Sequence, residues 1–214
     1  MLAQEMTADE SRLRNIAAMG EHAGSIYSQL WQELARLYRT WAEYVALFGT
    51  KESRVALLNE AAPAFTRIVQ DFLWEGVILH IARLTDPPKS MGKPNLSVRA
   101  LEDAVSDPEL KAKVSASVSG ALLASEFCRD WRNRQSRLKV KEALDGLSEV
   151  LNVLTRHYFD STTIFDLDLH VGGGPGGAMS LLYFIDLGVQ ADKSREARLK
   201  SGHFDPNDYR PCDQ

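Results

Sequence analysis

Cysteine is scarce in this sequence: 214 residues hold two, Cys128 and Cys212, far apart. That count excludes a disulfide framework, and the spacing excludes the paired ligands of a zinc site. No apolar run approaches the ~18 residues that a membrane span needs. The opening MLAQEMTADESRLR carries acids where a signal peptide has its apolar core. A soluble, reduced, cytoplasmic protein without membrane contact is the expectation. Excess positive charge is lacking as well. The 25 Lys and Arg against 29 Asp and Glu leave a formal net charge of −4, which excludes general coating of nucleic acid and confines any polyanion contact to a local patch. Alternating strand patterns and internal repeats are also missing.

What the chain has in plenty is helical periodicity. Thr7-Ala8-Asp9-Glu10 matches a capping box, so a short helix can start inside the polar segment 1–20. Ile26, Tyr27, Leu30, Trp31, Leu34, Tyr38, Trp41, Tyr44, Val45 and Phe48 recur at three- and four-residue steps, one stripe on a helix of about seven turns. Gly49 stands at its C-terminal cap position. A second helical stretch runs over 53–84, with a kink or break predicted near Ala61 because Pro63 lacks an N–H. Residues 86–96 read as a loop, and a short helix over 97–105 follows. Asp107-Pro108 reads as N-cap and first-turn proline of a helix to about 134. Val140, Leu144, Leu147, Val150, Leu151 and Leu154 mark another, ending near Tyr158. Residues 159–177 hold one short strand candidate, 163–167, and a glycine-rich hinge, 172–177. The last helix is predicted over 178–201, interrupted at Gly188. The fold class is all-α: a bundle of about five to six helices over 21–158, with a C-terminal extension over 159–214.

One stretch stands against the overall acidity. CRDWRNRQSRLKVK, residues 128–141, gathers Arg129, Arg132, Arg134, Arg137, Lys139 and Lys141 against the single acid Asp130. The plain explanation is a solvated helix end, where cations suit the negative end of the helix dipole. The mixture argues for more. Arg129, Arg132 and Asn133 share one side of a helix whose apolar stripe turns polar there, guanidinium groups bind phosphate bidentately, and an Asn orients a phosphate or a nucleophile.

This stretch, together with FGTKESRVALLNEAAPAFTRIVQDFLWEGVILHIARLTDPPKSMGKPNLSVRALEDAVSDPEL, resembles the HEPN superfamily, in the branch of the AbiU-type abortive-infection proteins. The resemblance spans roughly 20–158, with a weaker echo over 178–202. It implies a helical bundle that dimerises and a metal-independent endoribonuclease of bacterial phage defence or toxin–antitoxin type, with RNA as substrate and no cofactor. A nucleotidyltransferase-like antitoxin is the implied partner. The family signature is an Arg, a polar residue, four variable residues and a His. Arg132 and Asn133 match its first half and are the catalytic candidates. Arg129, Arg134 and Arg137 are the phosphate-binding candidates, and Asp86 the acidic support for Arg132 or Arg129, beside its simpler role as a turn residue before proline. The signature His falls on Leu138. Two explanations compete: natural loss, leaving a catalytically inactive dimer that binds RNA or a partner protein, or a His-bearing loop absent between Arg134 and Gln135 of the sequence as written. Metal-free RNA cleavage needs a group that titrates near neutrality, which Arg is not.

The other histidines offer little. His80, among Ile78, Leu79 and Ile81, reads as a core or boundary residue; His157, His170 and His203 form no zinc spacing, and no metal is predicted. The glycine run lacks the Lys-Ser/Thr and βαβ context of a phosphate loop.

Overall fold

The protein is described here by a computed structural model over residues 7–129, 137–159 and 176–203. These residues form α1 (Ala8–Met19), α2 (Glu21–Tyr44), α3 (Glu52–Ala61), α4 (Pro63–Leu84), α5 (Ala100–Ala104), α6 (Pro108–Ser125), α7 (Arg137–Tyr158) and α8 (Ala178–Lys200). The predicted all-α architecture is what the chain adopts. The chain divides into two compact units, Met1–Trp41 with Trp74–His170, and Ala42–Leu73 with Val171–Gln214.

In the first unit, the Thr7 capping box forms as predicted. Glu10 Oε2 accepts from the Thr7 N–H at 2.7 Å, and Thr7 Oγ1 accepts from the Glu10 N–H at 3.2 Å. Gly20, at φ +83°, ends α1 and turns the chain back. A hydrogen bond from Asn15 Nδ2 to Ser28 Oγ, 3.0 Å, holds the hairpin. Gly24 lets the two backbones meet: a Cβ there would stand 2.6 Å from the Asn15 carbonyl oxygen. The predicted stripe on α2 is real, with its Tyr27, Leu30 and Leu34 buried, and Leu37, which the stripe did not include, is buried beside them. They join Val77, Ile81 and Leu84 of α4, Leu110, Val114 and Val118 of α6, and Val140, Leu144, Leu147 and Leu151 of α7 in one core. Burial of each such side chain is worth about 1.5–3 kcal/mol. Tyr27 links α2 to α7. Thr155 Oγ1 donates to the Leu151 carbonyl, so the Tyr27 hydroxyl is the donor in their 2.8 Å contact. Helices α6 and α7 pack most extensively, and a Cβ at Gly146 would lie 3.1 Å from Ala121 Cα.

In the second unit, α3 packs on α8 around Leu47, Leu58, Ala178 and Leu182. Glu43 caps α8, its Oε2 accepting from the Ala178 N–H at 2.6 Å.

Four expectations are corrected. The first long helix widens into a single π turn, Val45–Gly49, so Gly49 closes that turn and Leu47 enters the second unit's core. Helix α6 stops at Ser125 rather than near 134. Ser125 Oγ donates to the Leu122 carbonyl and the Glu126 N–H to Leu123, which tightens the chain into a 3₁₀ turn, Glu126–Arg129. Lys89–Ser90 pairs antiparallel with Lys93–Pro94 through Met91 and Gly92, both at positive φ. No apolar alternation announces that ribbon, because its residues are exposed. Helix α8 runs through Gly188 without a break: one interior glycine costs only ~1 kcal/mol. The predicted break before Pro63 occurs, with Ala62 held out of the helical region at φ −160° and ψ 72°. The 163–167 strand candidate and most of the glycine run lie outside the described residues.

Candidate nucleic-acid interface

A helix end leaves its last carbonyls without intrahelical partners. At the end of α4 three consecutive carbonyls are satisfied from three places. The Val98 N–H donates to Leu84 O at 2.9 Å, Arg129 Nη2 to Thr85 O at 3.1 Å, and Ser97 Oγ to Asp86 O at 2.5 Å. The start of the basic stretch is therefore fastened to the ARLTDPP segment. Arg129 spends one of its five N–H donors on this tie.

Arg132, Asn133 and Arg134 lie outside the described residues, as does the Arg134–Gln135 junction. Arg137 opens α7 and is exposed; Lys139 and Lys141 follow, and Lys141 pairs with Asp145 at 2.7 Å. The first turn of α7 carries no acid, so Arg137 and Lys139 stand at the positive end of the helix dipole, where cations are disfavoured. Leu138, at the place of the signature His, is 70% exposed. Cys128 is buried beside Arg129, and burial pushes its thiol up to about 12 even though the neighbouring guanidinium pulls the other way. Such a thiol is no nucleophile at neutral pH.

Asp86 is half-buried and forms no ion pair with Arg129, which takes the Thr85 carbonyl instead. Asp86 lines a cleft of about 290 Å³ together with Glu33, His80, Arg83, Leu84, Pro94, Asn95 and Leu96. His80 is the surprise here. Its Nε2 is buried and lies 2.9 Å from Glu33 Oε2, close but not aligned as a hydrogen bond. Two acceptors do not sit at that distance, so Nε2 carries a proton. Glu33 Oε1 lies 3.2 Å from Arg36 Nη1. Burial lowers the His80 pKa below its usual value against the pull of Glu33, and Arg83 and Arg36 lower it further. The sequence does hold a trace of this pair: Glu33 precedes Leu34 and His80 precedes Ile81, so both sit at the rims of buried stripes.

The other described histidines are simpler. His22 is exposed near the start of α2, His157 is exposed and edges the Tyr158 ring, and His203 is exposed with Nδ1 3.1 Å from Ser201 Oγ. Among the described residues, no cluster of three His, Cys, Asp or Glu side chains is placed to hold a metal ion, and no helix is long and apolar enough to cross a membrane.

The family model described as AbiU2, a HEPN family, matches residues 20–136. The matched stretch runs from α2 through Asn133 and stops just before Arg137. No curated protein and no solved structure matches the chain.

Proposed function

The chain belongs to the AbiU2 family of HEPN proteins, and from that premise we propose that it acts on RNA in abortive infection, as a metal-independent endoribonuclease. Arg132 holds the scissile phosphate, Asn133 orients it, and Arg134 and Arg137 add positive charge. Arg129 fixes the start of the stretch and offers its remaining donors to the backbone. The ribose 2′-hydroxyl attacks the adjacent phosphate, leaving a 2′,3′-cyclic phosphate and a 5′-hydroxyl. Two copies juxtapose their motifs across a dimer interface, and a nucleotidyltransferase-like antitoxin is the partner class. The single observation that carries this reading is the tie of Arg129 to the Thr85 carbonyl. It anchors the basic stretch beside a cleft with titratable groups, which a solvated helix end does not require.

A second reading has its own observation. Leu138 is exposed where a His belongs, which favours a helical dimer that binds RNA or a protein partner without cutting. The deciding experiment incubates the full chain with mixed-sequence RNA in EDTA, beside Arg132→Ala. Cleavage lost in the variant supports the ribonuclease. Binding that weakens with salt, without cleavage, supports the second reading. Absence of both rejects RNA as the ligand.

A further inference from the structure

A basic stretch can hold phosphate but cannot move a proton at neutral pH, because a guanidinium stays protonated. With Leu138 at the signature position, the reaction proposed above lacks its acid–base group. The cleft at the end of α4 contains one. We propose that His80 is the proton-transfer residue of this protein, oriented by Glu33, and that the cleft takes one ribonucleotide unit of an RNA strand with its phosphate on Arg83. This inference rests on the ribonuclease reading and names the group that reading leaves empty.

Four observations carry it. First, the dyad has the build of a general base and its orienting carboxylate. Glu33 reaches Arg36 with one oxygen and approaches His80 Nε2 with the other. The Nε2 proton faces Glu33, so Nδ1 is the basic nitrogen of the neutral ring. Second, the contact is near but misaligned, as catalytic hydrogen bonds often are before substrate closes the site. Third, Arg83 lies three residues after His80 on α4, hence beside it on the helix surface. Neither Arg83 nor the Asp86 carboxylate has an ion pair or side-chain hydrogen bond among the described residues. Fourth, charge and size fit. The charged groups acting on His80 are Glu33 and Arg36 from α2 and Arg83 from α4, and Asp86 lines the same cleft. Two cations balance two carboxylates, so an entering phosphate meets no net repulsion. A cleft of about 290 Å³ is at the small end of ligand sites, which run ~300–1,000 Å³, room for one nucleotide unit.

The step balances without a co-reactant. His80 Nδ1 takes the proton from the ribose 2′-hydroxyl, O2′ bonds to phosphorus, and the P–O5′ bond breaks with its electron pair on O5′. The imidazolium returns the proton to O5′. Loss of a general acid/base lowers such rates by ~10²–10⁴-fold.

The test uses the full chain, a mixed-sequence RNA oligonucleotide and EDTA. His80→Ala is expected to lose ~10²–10⁴-fold in kcat while RNA affinity, read by anisotropy, stays the same, and added imidazole restores cleavage. Glu33→Gln is expected to keep part of the rate and to move the acid limb of kcat/KM to lower pH, because the carboxylate favours the imidazolium. A purely structural dyad gives neither imidazole rescue nor a moved limb. Should His80→Ala fail to fold, the Glu33→Gln profile decides alone. Cleavage by wild type that His80→Ala matches, or an unmoved acid limb, overturns the inference and leaves the ribonuclease reading intact. RNA bound but uncut by wild type overturns the inference and leaves the binding reading. Neither binding nor cleavage removes both.

Discussion

Arg129 and Thr85, 44 residues apart in sequence, are joined by a guanidinium-to-carbonyl hydrogen bond of 3.1 Å. The bond satisfies a carbonyl at the end of α4 and fixes the 3₁₀ turn from which the basic stretch departs. Removing the guanidinium leaves the Thr85 carbonyl without this donor in a buried residue. Arg129→Ala is expected to lower the unfolding free energy by about 1.5 kcal/mol, the low end for a charged donor because the arginine itself is exposed. Urea unfolding measures it. No change in midpoint means that the tie contributes nothing to stability.

Cys128 gives an independent check on the same turn. With its thiol pushed up to about 12, the thiolate fraction at pH 8 is on the order of a thousandfold below that of a free cysteine. In a Cys212→Ser background, where Cys128 is the remaining cysteine, alkylation by iodoacetamide should be slower by about that factor and should become fast in urea. Rapid native alkylation would place the thiol at an accessible surface.

Much of this fold is legible in the sequence, for reasons tied to particular residues. The stripe of Tyr27, Leu30 and Leu34, the break before Pro63 and the Asp107 cap, whose Oδ2 accepts from the Leu110 N–H at 3.1 Å, are all local. Periodicity and backbone chemistry announce them. What stayed hidden depends on partners distant in sequence. The end of α6 is set by Ser125 turning back on Leu122, a choice a serine can make in any helix. The Glu33–His80 pair joins two rims 47 positions apart, and nothing in either helix alone points to the other. Of the candidate site residues, Arg129, Arg137 and Asp86 are placed. Arg129 and Asp86 come to one helix end, held by Thr85 and Ser97 respectively.

Two glycines of similar appearance should respond in opposite directions. At Gly24 a Cβ would stand 2.6 Å from the Asn15 carbonyl oxygen and from Ile16 Cα, both backbone atoms of α1. Gly24→Ala should cost ~1–3 kcal/mol through displacement of α1, more than the gain in helix propensity. At Gly76 a Cβ meets nothing within 4 Å, so Gly76→Ala should stabilise α4 by up to ~1 kcal/mol. Amide exchange checks the first change: α1 should lose protection in Gly24→Ala while α6 and α7 keep theirs. Equal melting shifts of one sign would contradict the packing described.

His80 also makes stability depend on pH, apart from any reaction. Its folded pKa is below the ordinary 6.5, burial being the largest cause, opposed by Glu33 and aided by Arg83 and Arg36. The unfolded chain therefore binds this proton at higher pH than the folded chain does. Above pH 6.5 the histidine is neutral in both states and its contribution is intact. As the pH falls from there through the folded pKa, the unfolded state gains proton binding first and the contribution is lost. Wild type should thus lose stability relative to His80→Gln on acidification from neutral pH. In Glu33→Gln the loss should deepen, because the carboxylate that supports the imidazolium is gone. Urea midpoints for the three proteins from pH 7.5 downward separate these slopes. A wild type whose stability tracks His80→Gln at every pH would mean that the ring takes up its proton as freely in the fold as in water, which contradicts the net effect of burial described here.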